Sequence, residues 1–161
     1  MIDINNIEND LCEKFYTNQN QIVEQHQDEL SNQNDSIINL VIELSKNIID
    51  TLGVGFIEGI YHKALMIDLT KQTEYNIETK KIIPISYKNI NIGYVESDIV
   101  INTENNIYIL ELKSFDRNIL QKEILQIQKY IKFIDNPNNK IIKGIIINFN
   151  QKNKNIDYCL V

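Results

Sequence analysis

Two stretches decide the reading of this chain: Val95-Glu96-Ser97-Asp98-Ile99-Val100-Ile101 and Ile107-Tyr108-Ile109-Leu110-Glu111-Leu112-Lys113. Each is an apolar run of strand length that carries an acid where sheet packing alone would favour an apolar side chain. Side chains alternate between the faces of a strand, so Glu111 and Lys113 share a face with Ile109, while Leu110 and Leu112 point to the other. If the two strands are neighbours, Asp98 meets the Glu111 and Lys113 pair. Two carboxylates beside one ammonium can hold a divalent metal and polarise a phosphate, which is the chemistry of metal-dependent phosphodiester cleavage. The competing reading is a solvated sheet edge, where such charges discourage edge-to-edge pairing.

The surrounding periodicity supplies a fold. Upstream of the two runs lies another strand-like segment, Ile77 to Tyr87, joined to Ile92–Ile101 by a tight Lys88-Asn89-Ile90-Asn91 reversal; Asn102 to Asn106 turns the chain into Ile107–Lys113. These connections are too short for crossovers, so the three strands form an antiparallel meander. Ile119 to Ile134 has helical spacing and ends at Asp135-Asn136-Pro137. Ile141 to Phe149 is a nearly continuous apolar strand of the buried type, and the helix before it makes it a candidate for parallel pairing with the third strand. Asp157 to Val161 reads as a short edge strand.

Two helices precede the meander. Asp35 or Ser36 can cap one that runs through Ile37, Ile38, Leu40, Val41, Leu44, Ile48, Ile49 and Leu52 and ends at Gly53. The second follows the Gly53-Val54-Gly55 turn and carries Ile57, Ile60, Tyr61, Ala64, Leu65, Ile67 and Leu69, with Glu58 inside the apolar pattern. The expected class is therefore α/β, a mixed sheet flanked by helices. We place a domain boundary just before Asp35, giving a folded domain over 35–161. Residues 1–34 are rich in Asn, Gln and acids, with Ile4, Ile7, Leu11 and Phe15 at helical spacing. They read as a partly disordered or weakly helical arm, or as a docking helix for a protein partner or for the protein's own surface.

Charge follows the same division. The chain carries a net −6, but residues 1–35 hold eight acids against Lys14 alone, whereas residues 36–161 hold 14 acids against 15 bases. A bound divalent ion would make the body distinctly positive. No broad basic stripe with interleaved aromatics is present, so tight non-specific DNA binding is not expected. No apolar stretch approaches the roughly 20 residues of a membrane span, and the start lacks a basic region and an apolar signal core, so the expectation is a soluble intracellular protein without membrane association. Cys12 and Cys159 lack metal-ligand spacing and read as reduced thiols.

With these elements in order, the chain resembles the GxxExxY proteins, a family of the PD-(D/E)XK nuclease superfamily. Gly55-Phe56-Ile57-Glu58-Gly59-Ile60-Tyr61, followed by Ala64-Leu65, is similar to the naming motif. Ile85-Ser86-Tyr87-Lys88 resembles the family's hydrophobic-Tyr segment, Tyr94 to Val100 its Asp-bearing strand, and Ile109 to Lys113 its Glu-x-Lys strand. Gln126 to Lys132 resembles its Gln-x-x-x-Tyr helix and Gly144 to Phe149 its closing strand, so the resemblance spans residues 36–150. It implies a restriction-endonuclease-like core of helix, three-strand meander, helix and strand, in agreement with the periodicity.

The resemblance also implies roles. Asp98 and Glu111 would be the main ligands of Mg²⁺ or Mn²⁺, with the Leu112 carbonyl as a third donor. Lys113 would hold the attacking water or stabilise charge on phosphorus. Glu58 and Gln126 would reach the site from their helices to bind metal or orient a ligand, and Tyr61 and Tyr130 would stand at its rim. Nucleic acid is the implied substrate, DNA or RNA.

Other residues invite plainer readings. Arg117, the only arginine, could contact a phosphate, but a cap or surface role is the simpler one. Lys80 and Lys81 could flank a groove or merely solubilise the first strand. His26 and His62 lack a partner at ligand spacing, and Gly53 and Gly55 make only a turn. The heavy use of Ile, Asn and Lys points to an AT-rich coding genome, such as that of a large DNA virus or an AT-rich microbe. The alternative to an enzyme is a catalytically silent nuclease fold that serves as an assembly module through its acidic arm. Oligomeric state is open.

Overall fold

The computed structural model describes residues 35–161. The expectations for residues 1–34, and for Cys12 and His26 within them, lie outside the described residues.

Helix α1 (Ser36–Leu52) starts where the Asp35 carboxylate accepts the N–H groups of Ile37 and Ile38 at 3.1 and 3.3 Å. Asp35 also takes the Lys143 ammonium at 2.6 Å and the Tyr108 hydroxyl at 3.0 Å, so one side chain caps the helix and ties it to the sheet. Ile37, Val41, Leu44 and Ile48 recur at three- and four-residue spacing and form its buried face. The helix stops at Gly53, whose φ of 74° is left-handed. Helix α2 (Glu58–Gln72) buries only Tyr61, Leu65 and Leu69, one stripe at four-residue spacing.

Strands β1 (Asn76–Tyr87), β2 (Ile90–Asn102) and β3 (Asn106–Lys113) form the meander. Helix α3 (Gln121–Phe133) then crosses to β4 (Ile141–Asn150), and β5 (Asn155–Leu160) closes the chain. The five strands stand in the order β1-β2-β3-β4-β5, with β3 and β4 parallel and every other pair antiparallel. The expected parallel pairing is present, in the register Ile109↔Gly144. The reversal after β1 is tighter than the sequence reading had it: only Lys88 and Asn89 turn the chain, both left-handed at φ 49° and 63°, as a two-residue hairpin turn requires.

The sheet separates two cores. Helices α1 and α2 cover one face, with Leu110, Leu112, Ile145 and Ile147 beneath them; α3 covers the other, where Ile127 and Tyr130 meet Val100, Ile109 and Ile146. At Gly144 the helix comes so close that an added Cβ would lie 2.8 Å from Ile127 Cγ2. Among the described residues no helix is long and apolar enough to cross a membrane.

Candidate active site

The β2–β3 ladder ends at Ile99↔Leu110, while β1 and β2 stay paired as far as Tyr87↔Ile90. The β1–β2 ribbon therefore parts from β3 where Asp98 and Glu111 stand. Both acids lie on the α3 face, each two residues from an apolar side chain of that core: Asp98 from Val100, Glu111 from Ile109. Their burial follows from strand position, with relative exposures of 5% for Asp98 and 3% for Glu111.

Glu111 is the most constrained of these groups. Its Oε1 accepts the Lys113 ammonium at 2.5 Å and the Gln126 amide at 2.6 Å. Its Oε2 is buried with no hydrogen-bond partner. A buried carboxylate oxygen without a donor is costly, and an ordered water or a cation is the usual resolution. Burial, reinforced by the negative charge of Asp98 and opposed by Lys113, pushes the Glu111 carboxyl up to about 7. Glu58, in the first turn of α2, stands 4.0 Å from the Lys113 ammonium, which thus lies between two acids. Burial also raises the Glu58 carboxyl, with Lys113 opposing and Asp98 adding to the rise.

Asp98 is held by both oxygens. Oδ2 accepts the Leu112 N–H at 2.8 Å and Oδ1 the Lys80 ammonium at 2.5 Å. His62 Nε2 lies 3.1 Å from the Asp98 carbonyl and 3.0 Å from Thr79 Oγ1. A carbonyl only accepts, so Nε2 would donate in the first contact, whereas the Thr79 hydroxyl can take either role in the second. His62 and Lys80 are the two neighbours that sequence reasoning missed. For Lys80 the sequence held no sufficient signal: counting back from the Lys88-Asn89 turn alone puts residue 80 opposite Ser97, and only the one-residue shift at Ile85/Ser86 puts it opposite Asp98.

The structure thus brings together Glu58, Asp98, Glu111, Lys113 and Gln126. Tyr130 joins them indirectly, accepting the Gln126 amide at 2.6 Å, with its hydroxyl pushed up to about 12 by burial. Tyr61 does not reach the rim. It is fully buried, stacked on Phe149 at 4.4 Å, and its hydroxyl donates to the Gly53 carbonyl at 2.9 Å. Arg117 is also taken up elsewhere, in an ion pair with buried Glu123 at 3.0 Å and over the Phe115 ring at 4.0 Å. Glu123 in turn accepts the Leu120 N–H at 2.8 Å and caps α3, so Arg117 holds a helix start and is no free phosphate contact.

Among the described residues no group of three or more His, Cys, Asp and Glu side chains stands ready to hold a metal ion. What fits a hard divalent cation is narrower: the unpartnered Glu111 Oε2, the neighbouring Asp98 carboxylate, and oxygen-only donor chemistry.

A mixed sheet whose second and third strands bring an Asp and a Glu-x-Lys together, beneath a helix that supplies a Gln, is a nuclease-type arrangement. The model of the PD-(D/E)XK nuclease superfamily matches residues 35–158, and the chain belongs to that superfamily. Nucleases of this superfamily generally use divalent metals and act on nucleic acid. No curated protein matches the chain.

Proposed function

We propose that the chain is a metal-dependent nuclease of the GxxExxY type, hydrolysing phosphodiester bonds in DNA or RNA with Mg²⁺ or Mn²⁺. Residues 35–161 form its catalytic domain and residues 1–34 an acidic arm available to a protein partner. The observation that carries the reading is Glu111, a buried acid fixed through one oxygen by Lys113 and Gln126 while the other has no partner.

Asp98 and Glu111 would hold the ion, which when bound would supply Lewis-acid activation of water and phosphate. Gln126 fixes the Glu111 carboxylate, and Tyr130 anchors Gln126 in turn. The Lys113 ammonium, mostly buried between Glu111 and Glu58, is positioned to stabilise charge that develops on the phosphoryl oxygens. Glu58, 4.0 Å from the Lys113 ammonium, would bind the ion or orient a ligand at the site.

The test is cleavage of labelled single- and double-stranded DNA and RNA with Mg²⁺ or Mn²⁺, comparing wild type with Lys113→Met. The expected result is cleavage by wild type and a loss of at least about a hundredfold in the variant, in the range for removing one electrostatic stabiliser. Equal rates in the two proteins would overturn the assignment of Lys113, and no cleavage of any substrate by wild type would count against the reading as a whole.

A further inference from the structure

Lys80 adopts a backbone conformation that strands avoid. Its φ is 52°, left-handed and uncommon for a residue with a long side chain. The pairs around it, Thr79↔Ile99 and Lys81↔Ser97, keep register, so the departure is confined to one residue. Its effect shows in the packing. Ile77 packs into the core beneath α1 and α2, whereas Ile83, an even number of residues on, is buried in the core beneath α3. A regular strand would place both on one face. On β2, Val95 and Ile99 divide between the two cores in the same way. The ribbon exchanges faces beside Lys80 and Asp98, and the Lys80 ammonium comes to Asp98 Oδ1 at 2.5 Å, with Glu96 at 3.9 Å.

The two site lysines differ in what they can do next. The Lys113 side chain is 13% exposed and lies between two acids, so it is locked in place. The Lys80 side chain is 50% exposed, against 6% for that of Asp98, so it can leave the carboxylate for solvent without first being unpacked. Asp98 Oδ2 accepts the buried Leu112 N–H, whereas Oδ1 is held by the half-exposed lysine, so Oδ1 is the oxygen more open to an incoming cation.

We propose that Lys80 is a built-in counter-cation of Asp98: it occupies Oδ1 in the metal-free protein, and a divalent ion must displace it to bind. Resting on the metal-dependent reading of the site, this makes Lys80 a positioning residue that aligns Asp98 and sets the affinity for the ion. Two cations compete for one oxygen, so removing the ammonium should tighten ion binding even though it also removes a contact that orders the ribbon.

The test is calorimetric titration of the full chain with Mn²⁺ for wild type, Lys80→Asn, Lys80→Gly, Lys80→Arg and Lys81→Asn. Asn and Gly both tolerate the left-handed backbone, so at least one charge-free variant keeps the strand geometry. The expected result is a Kd about tenfold lower in Lys80→Asn and Lys80→Gly, as for loss of one competing charge-assisted hydrogen bond. Lys80→Arg and Lys81→Asn should stay within about twofold of wild type, the first because the competitor is kept and the second because Lys81 pairs with Glu78 instead. Unchanged or weaker binding in the charge-free variants would overturn the proposal alone, as would equal tightening by Lys81→Asn, which would indicate a general charge effect. Absence of Mn²⁺ binding in all five proteins would overturn it together with the metal-dependent reading.

Discussion

The Asp98 carboxylate accepts the Leu112 N–H at 2.8 Å, beyond the last ladder pair between their strands, Ile99↔Leu110. A side chain here does the work of a strand: as β2 parts from β3, it satisfies a fully buried backbone donor and fixes the acid against the strand that carries Glu111 and Lys113.

Asp98→Asn and Asp98→Ala should therefore differ in stability. The amide oxygen of Asn still accepts from Leu112, whereas Ala leaves that N–H unpaired in the core, at a cost of about 1–3 kcal/mol. Urea denaturation of the metal-free proteins should place the Ala midpoint clearly below the Asn midpoint. Coincident midpoints would mean that the N–H finds another partner.

The raised Glu111 carboxyl makes stability depend on pH in a defined direction. Folded Glu111 keeps, up to about pH 7, a proton that the unfolded chain releases near its ordinary 4.5. Its contribution is thus fully present below about pH 4.5 and is lost as pH rises through 7. Glu111→Gln keeps an acceptor for Lys113 and Gln126 but cannot ionise. In chelator, its unfolding free energy should lack that decline and exceed the wild-type value at pH 8 by a few kcal/mol at most, one pKa unit corresponding to about 1.4 kcal/mol. Parallel pH profiles for the two proteins would contradict the shift.

Asp35 runs the other way. Burial alone would raise its carboxyl, but hydrogen bonds from Lys143 and Tyr108 and from the helix backbone outweigh that and lower it. Its stabilisation is present above the ordinary carboxylate value and fades as pH falls through the lowered one. Asp35→Ala should cost about 2 kcal/mol or more at neutral pH, through the lost cap and ion pair. The loss should shrink toward pH 3 in denaturation curves measured across that range.

Gly144 sets the distance from α3 to the sheet. In Gly144→Ala the new methyl meets Ile127 Cγ2 at 2.8 Å, a branch atom close to the helix backbone, and the Ile131 Cδ1 chain end at 3.1 Å. A loss of about 1–3 kcal/mol is expected from the overpacking. The helix would also shift Gln126 away from Glu111, so nuclease activity should fall more than the remaining folded fraction explains. A variant as stable and active as wild type would show that α3 adapts freely.

Most of the architecture was legible because burial enforces period. The runs ending at Ile101 and Lys113 could only be strands, and the short links between them allowed only a meander. The parallel β3–β4 pairing followed from the intervening helix. The five convergent side chains were legible as well, since strand alternation placed Asp98, Glu111 and Lys113, and the motif resemblance pointed to Glu58 and Gln126. What escaped were contacts set by single-residue irregularities. Lys80 reaches Asp98 only through the register shift at Ile85/Ser86 and its own left-handed backbone. Tyr61 lies one turn from Glu58, which suggested the rim, but spacing along α2 says nothing of Phe149, whose ring it stacks on. Arg117 was drawn inward by Glu123, an acid at a buried position of α3 that its sequence neighbours did not mark.

The central claim, that Asp98 and Glu111 together hold a divalent ion used for phosphodiester cleavage, is tested most directly by calorimetric titration of Mg²⁺ and Mn²⁺ into wild type and the Asp98→Ala/Glu111→Ala double variant. The same samples should be run against mixed DNA and RNA. The account predicts ion binding and cleavage in wild type and the loss of both in a double variant that still unfolds cooperatively. Wild-type protein that binds neither ion, or a folded double variant that binds and cleaves as wild type does, would contradict it.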